Sequence, residues 1–369
     1  MNIGIVAENY FPTLGGIQEH IFYLAKQLRA KGHTVKIITG MPKVTTWLGP
    51  KDTDDVIRVG NSIRYGVMGT YTQLTLSPKI IRNFRKILKE NNFDVLHIHG
   101  PCDFGLPMLA YKMFKGPKIA TLHSAFKDSF FRKLISPFYK WVFSKSDAVI
   151  GVSKHAVNTM HRYASFDHHV VPNGVDVSTF KQGQKINAYN DGKKNILYIG
   201  RVEPRNGLDV LLQALPLLLK DNPNIRLLVG GEGPQLEEYK NILTDKEKEH
   251  VVFLGAVYSE RPDLYKTADA FILPNRFGGT FSIMILESLA AGTPIVSTPF
   301  VPKESRNDHW TPVHVCDDYT PEALAEGIIH CLKANQEQLI HKGNEIVKKY
   351  DWRLIADDIV SIYESCLTK

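Results

Sequence analysis

Apolar strands and amphipathic helices alternate almost throughout this 369-residue chain, and near its middle the alternation starts afresh. Parallel strands need a long crossover, usually a helix, so this order reads as parallel sheets with helices on both faces. The first series opens with a strand over 3–7. Ile17, Ile21, Leu24, Ala25 and Leu28 then mark a helix at 3.6-residue spacing, stopped by Lys31-Gly32-His33 before a strand over 35–39. Further strands are expected at 94–99, 118–123, 148–152 and 169–171. Residues 41–78 show no clear periodicity and read as a loop-rich region. The polar, turn-rich stretch 182–192 reads as a linker. A second series follows, with strands at 195–199, 225–229, 251–254, 270–273 and 295–298. Residues 352–367 form a last amphipathic helix with Ile355, Ile359, Val360 and Tyr363 on one face. The chain therefore reads as α/β, with two Rossmann-like, doubly wound domains over 1–180 and 181–351. They are expected to face across a cleft at the carboxyl ends of their strands, where such folds bind ligands.

Composition narrows the setting. A hydrophobic content of 43% with 22% charged residues fits a soluble globular protein. No apolar run approaches the roughly 20 residues that span a bilayer, and the N-terminus reads as a strand rather than a leader. Cys102, Cys316, Cys331 and Cys366 lack paired metal spacing and point to reduced thiols in a cytoplasm. Residues 1–180 carry 23 Lys and Arg against 12 Asp and Glu, whereas 181–369 carry 22 against 26. The imbalance suggests that one domain, the first, meets an anionic surface, with nucleic acid and anionic lipid both candidates, or else that its basic residues are dispersed over solvated helix faces.

Strand-to-helix turns carry most of the chemistry. In the stretch 277–294 a Gly-rich turn enters an apolar helix, with Gly279, Thr280, Phe281, Ser282 and Ile283 at its start and Glu287 a turn inside it. Free backbone N–H groups and the positive dipole end suit a phosphate there, and Glu287 suits a sugar hydroxyl. In Gly200-Arg201-Val202-Glu203-Pro204-Arg205-Asn206-Gly207, Arg201 suits a diphosphate, Arg205 adds to it or is solvated, and Asn206-Gly207 equally fits a plain helix-start turn. Glu232 in the Gly-rich turn after 225–229, and Leu254 at the end of 251–254, border the same expected nucleotide site or an ordinary turn. In the first domain Gly15 and Gly16 let a ligand approach backbone, and Gln18 is placed to bond an acceptor hydroxyl. His97 and His99 share one strand face; with no further ligands apparent, His99 reads as a polar contact at the strand end rather than as a metal ligand. His123 ends the next strand, where it either faces a reacting sugar or caps the structure. The segment 127–145 mixes five cations with six aromatics and reads either as a membrane-facing surface or as core; the basic helix near 80–89 has the same ambiguity. Nothing in these motifs calls for nucleic acid.

Taken in order, Gly15-Gly16-Ile17-Gln18, Asp94 to His99, Thr121-Leu122-His123-Ser124, Val171 to Asp176, Gly200-Arg201 with Glu203-Pro204-Arg205, and Glu287 to Pro294 resemble glycosyltransferase family 4, nearly end to end. The resemblance implies the GT-B fold and transfer of a hexose, of mannose or glucose type, from a GDP- or UDP-linked sugar with retention at the anomeric carbon. It implies a lipid-linked or polysaccharide acceptor, a peripheral position at the inner membrane face, and a last helix over 352–369 that crosses back to the first domain. By the same resemblance His123 lies beside the donor sugar, Gly16 lends backbone to the phosphate region, Arg201 grips the diphosphate, Ile283 and its neighbours offer amides, and Glu287 holds the ribose. Gln18, Tyr10 and Asn61 fall at the acceptor. The nucleotide-sugar is a co-substrate; no tightly bound cofactor or metal is implied, and a divalent ion is compatible without being required. Two departures stand out. Asn206 replaces the usual Lys and Gly279 the usual first Glu of a Glu pair, which leaves open a nucleotide-sugar or lipid-binding protein that has lost catalysis, while the same architecture leaves open a sugar-nucleotide epimerase.

Overall fold

The computed structural model describes residues 1–43, 48–67, 70–125, 128–276, 282–299 and 313–368, without the side chains of 64, 66, 67 and 70–72. The chain divides into two compact units, Met1–Gly174 with Trp352–Lys369, and Val175–Asp351.

The first unit runs β1 (Asn2–Val6), α1 (Gly16–Ala30), β2 (Thr34–Pro42), β3 (Val56–Val67), β4 (Thr70–Leu76), α2 (Ile80–Asn91), β5 (Val95–His99), α3 (Leu106–Met113), β6 (Lys118–Leu122), α4 (Phe130–Leu134), α5 (Ser136–Ser144), β7 (Ala148–Gly151), α6 (Lys154–His161) and β8 (His169–Val170). Its sheet has the order β4-β3-β2-β1-β5-β6-β7-β8, parallel except for the β3–β4 hairpin. β5 and β6 are buried along their whole length, as strands covered on both faces must be.

The hairpin corrects the loop-rich reading of 41–78. Its alternation is inverted: Ser62, Gln73 and Thr75 are buried while Ile63 and Leu76 are about half exposed. The buried Glu8 carboxylate explains the inversion, accepting hydrogen bonds from the Thr75 amide and hydroxyl at 2.7 and 2.6 Å. A polar interior face hides a strand from any hydrophobic pattern.

The second unit runs α7 (Val177–Lys181), β9 (Lys194–Ile199), α8 (Leu208–Asp221), β10 (Ile225–Gly230), α9 (Leu236–Lys240), α10 (Asp245–Lys248), β11 (Val251–Gly255), α11 (Arg261–Thr267), β12 (Ala270–Leu273), α12 (Ile283–Ala291), β13 (Ile295–Ser297), β14 (Val313–Val315), α13 (Pro321–Lys333) and α14 (Gln336–Val347). Its strands, all parallel, are ordered β11-β10-β9-β12-β13-β14. The division after Gly174 falls earlier than the expected 180/181 boundary. Phe180 is buried in this unit's core against Tyr265, and Val175 bridges to Asp351.

The last helix, α15 (Trp352–Leu367), is counted with the first unit, burying Ile355, Ile359 and Tyr363 together with Trp352 and Ile362. Val360, expected on the same face, is only half-buried. Trp352 covers Gly174 so closely that a Cβ there would lie 2.6 Å from the indole. Among the described residues, no helix is long and apolar enough to cross a membrane.

Candidate active site

Each sheet has a switch point where the strand order reverses, between β1 and β5 in the first unit and between β9 and β12 in the second. Ligands of doubly wound folds bind outside the strand ends at such points. His99 and His123 meet at the first, and Arg201 and Arg205 at the second.

In the first unit, Gly15 caps α1 and Gly16 begins it. A Cβ on Gly15 would lie 2.7 Å from Gln18 Oε1, so the bare glycine is what lets the buried Gln18 fold back over the turn. His99 ends β5 and His123 follows β6. Their rings stack at 5.1 Å, and His99 Nδ1 shares a hydrogen with His123 Nε2 at 2.8 Å. His20, from the second turn of α1, sits edge-on to both, at 5.3 Å from His99 and 4.8 Å from His123. Its Nδ1 bonds Asn173 Oδ1 at 2.9 Å. His97 lies deeper, fixed by Thr121 Oγ1 and Tyr363 Oη, each at 2.6 Å. Burial makes the charged ring unfavourable throughout. It lowers His20 to about 4 and His97 to about 3, and it holds His99 and His123 well below the usual value, helped by neighbouring rings. The cluster is therefore four neutral imidazoles, polar without being charged.

Tyr10, an expected acceptor contact, is buried, edge-on to Phe11 with the Arg58 guanidinium over its ring. Asn61 is exposed on β3, where it pairs with Leu76 of β4 rather than joining the histidines. Sequence reasoning missed Glu8 and Asp103. Burial raises both carboxyls, Asp103 to about 7 with the Glu8 charge adding to the effect.

In the second unit, backbone bonds stitch the strand ends together: Gly200 N–H to Gly230 O, Gly231 N–H to Gly255 O, and Val202 N–H to Glu232 O, at 2.7–2.9 Å. A Cβ on Gly231 would lie 1.8 Å from Gly200 O, and one on Gly207 would lie 1.9 Å from Pro274 O; both glycines also hold positive φ. Arg201 and Arg205 flank one buried carboxylate, Glu203, at 3.5 and 3.2 Å. Arg276 joins them. Its amide N–H donates to Arg205 O, and its guanidinium reaches Pro204 O at 3.0 Å and Asp209 at 2.5 Å. Three guanidiniums thus meet where β9 and β12 end, each partly exposed.

Asn206 takes the structural part of its two readings, donating its side-chain N–H to Arg201 O at 2.6 Å. Glu232 is exposed, and Leu254 packs at the edge of the core. Ser282 precedes the first turn of α12 without capping it by its side chain, leaving Ile283 at the helix start. Gly279, Thr280 and Phe281 lie outside the described residues. Glu287 is buried and already engaged: Oε1 accepts from Arg261 at 2.9 Å and Oε2 from Tyr265 at 3.1 Å. Arg261, in turn, is stacked over Tyr258 at 5.0 Å. No spacing in the sequence links 261 to 287; only the packing of α11 on α12 does.

Comparison with known proteins divides the chain between residues 179 and 180, beside the boundary expected from sequence. The model described as Glycosyltransferase Family 4 matches residues 14–179, and Glycosyl transferases group 1 matches 180–350. A phosphatidyl-myo-inositol mannosyltransferase of Mycobacterium tuberculosis is 31% identical over 99% of this chain and 97% of its own length. The chain belongs to glycosyltransferase family 4. An alpha-monoglucosyldiacylglycerol synthase of Streptococcus pneumoniae is also similar to this glycosyltransferase, 23% identical over 94% of the chain and 82% of the relative. Among solved structures, a sucrose-phosphate synthase from Thermosynechococcus elongatus superposes with a TM-score of 0.76 at 18% identity, covering 99% of both chains. Anabaena HepE, crystallised with UDP and glucose, gives 0.73 at 15% identity, covering 99% of this chain and all of its own. Two α/β units built on parallel sheets are the GT-B architecture, and the family makes this chain a glycosyl-transferring enzyme.

Proposed function

We propose that this glycosyltransferase moves a hexose of mannose or glucose type from a UDP- or GDP-linked sugar to a lipid-linked or polysaccharide acceptor, with retention of anomeric configuration. The gathering of Arg201, Arg205 and Arg276 at the second unit's switch point carries the reading. Guanidiniums at partly exposed positions recognise a diphosphate in bidentate fashion. They and the amides opening α12 meet the charge that develops on a departing nucleoside diphosphate, with no metal needed for that purpose. Arg276 also brings a cation to the 204–205 backbone, just before the position where the family's usual Lys is replaced by Asn206, which favours an active enzyme over a decayed binding protein. Glu287 is the candidate ribose ligand, held in place by Arg261 and Tyr265. His123, kept neutral, suits a hydrogen bond to a donor-sugar hydroxyl, Gly16 suits the phosphate region, and Gly15 and Gln18 suit the acceptor. The incoming hydroxyl attacks from the leaving-group face.

We assign the acceptor to a membrane surface on the first unit. There α5 buries Tyr139, Val142 and Phe143, whereas α4 exposes Phe130, Phe131 and Leu134 beside Arg132 and Lys133. A cavity of about 300 Å³ next to them is lined by Lys133, Lys140, His161 and Arg162. Exposed aromatics with cations fit an anionic interface.

The test is incubation of the purified protein with UDP-, GDP- and ADP-sugars and lipid extract, following nucleotide release and the anomeric configuration of the product by NMR. Transfer with retention is expected. Absence of both transfer and nucleotide release across the panel refutes the reading. Epimerised donor in the absence of acceptor returns the epimerase alternative.

A further inference from the structure

We propose that His20, His99 and His123 form a binding site for a borderline divalent metal, zinc in the first instance. Each offers one ring nitrogen, and these nitrogens lie within 4.8 Å of one another. Tetrahedral zinc at about 2.0–2.1 Å from each nitrogen draws them to roughly 3.4 Å apart, a closure within reach of side-chain rotation. Chemistry selects these three and passes over the fourth histidine of the cluster. Both nitrogens of His97 are already bonded, to Thr121 and Tyr363.

His20 is the decisive member. Asn173 Oδ1 can only accept, so His20 Nδ1 carries the hydrogen and Nε2 presents its lone pair. Among the described residues, that Nε2 is buried with no hydrogen-bond partner, as is His99 Nε2. Buried polar atoms are rarely left so. A histidine whose far nitrogen donates to a carbonyl while its near nitrogen is bare has the arrangement that orients metal-ligating imidazoles. An ion that replaces the hydrogen shared by His99 Nδ1 and His123 Nε2, 2.8 Å apart, takes a lone pair from each ring and leaves their hydrogens on His99 Nε2 and His123 Nδ1. His123, half-buried at the end of β6, completes three ligands and leaves a fourth position for water or a sugar oxygen. Imidazole sets of this kind suit zinc, copper and nickel better than magnesium or calcium. The consequence rests on the reading of His123 as a donor-sugar contact: a bound ion takes up that ring and inhibits transfer.

The experiment titrates chelator-stripped, full-length protein with Co2+, following the visible absorption of tetrahedral cobalt, and with Zn2+ by calorimetry. One equivalent per chain with a tetrahedral spectrum is expected. Affinity should fall at least tenfold in His20→Asn and in His99→Gln, and stay unchanged in His161→Asn and His330→Asn, which carry exposed or partly exposed rings outside the cluster. An octahedral spectrum or no saturable binding by the intact chain overturns the site whether or not the variants fold. So does binding that survives both substitutions and is lost in His161→Asn or His330→Asn. Inhibition is read separately, as transfer lost at one equivalent of Zn2+ and restored by chelator. Stoichiometric binding without inhibition refutes the reading of His123 and leaves the metal site standing.

Discussion

The ends of β5 and β6 in the first unit and of β9 and β12 in the second are the same kind of place, the carboxyl edge of a parallel sheet, built in opposite ways. The first packs four imidazoles together and excludes water until none is charged. The second keeps three guanidiniums partly in solvent and tethers each to a carboxylate, Glu203 or Asp209. Desolvation decides between the two designs. An imidazole can shed its proton and be buried, whereas a guanidinium cannot and must be paired or wet. A neutral sugar suits the first edge and a diphosphate the second.

The largest effect is expected where the second unit does bury a charge. Arg261 and Glu287 are both almost inaccessible, so Glu287→Ala strands a guanidinium in the interior. Removing one partner of such a pair costs about 3–5 kcal/mol. Glu287→Ala should therefore lower the denaturation midpoint sharply, and Glu287→Leu with Arg261→Met should recover most of it. If Glu287→Ala weakens donor binding with no loss of stability, the carboxylate serves the ligand alone and the pairing principle fails here.

Next comes the division of labour between the two edges. His123→Ala should reduce transfer by up to about tenfold, the usual cost of losing one neutral hydrogen bond, while the Kd of the nucleoside diphosphate, which lacks the sugar, stays within threefold. Arg201→Ala should instead raise donor Kd about tenfold to a hundredfold, because a hydrogen bond to a charged group is worth about 1.5–3 kcal/mol. Isothermal titration with the nucleoside diphosphate separates the two. Equal effects on Kd would erase the contrast.

How far was this arrangement legible beforehand? The alternation of strand and helix gave two parallel sheets, and motif order led to His99, His123, Arg201 and Glu287. The groups that make those residues behave as they do were hidden. His20 looked like one more position along α1, and its partner Asn173 is 153 residues away. Arg261 and Arg276 belong to no turn signature and become neighbours of Glu287 and Arg205 only through helix packing and a loop crossing. Local spacing reports which side chains share a face; it carries no record of which distant chain will be folded against them. The β3–β4 hairpin was missed for the converse reason, since its buried face is polar.

Acidification tests the neutral edge directly. Because burial lowers the histidine pKa values, the unfolded chain takes up more protons than the folded chain once the pH falls below about 6.5. Stability from His20 and His97 is complete above that pH and is lost as pH falls toward about 4 and about 3. Asp103, raised to about 7, works with the opposite slope, losing stability as pH rises from about 4 through 7. Four rings against one strongly raised carboxyl leave the histidines ahead. In metal-free protein, amides of β5 and β6 should lose exchange protection at pH 5 relative to pH 7.5 by more than those of β9 and β12. Equal loss in both sheets would mean that the rings are solvated and charged.

The smallest expected effect is the most informative about the departure at Asn206. Its side chain holds the Arg201 carbonyl at 2.6 Å, and its amide N–H donates to Glu203 O, so it shapes the loop that aims Arg201. A neutral bond of that kind is worth about 0.5–1.5 kcal/mol. Asn206→Ala should therefore weaken donor binding by less than about tenfold, through Arg201. Asn206→Lys breaks the same bond while adding a cation where the family usually carries one. If Arg276 already fills that electrostatic role, Asn206→Lys in the intact protein gains nothing, and in an Arg276→Ala background it restores part of the lost affinity. A gain in both backgrounds would show the second edge to be short of charge, and the three-guanidinium description would need a fourth member.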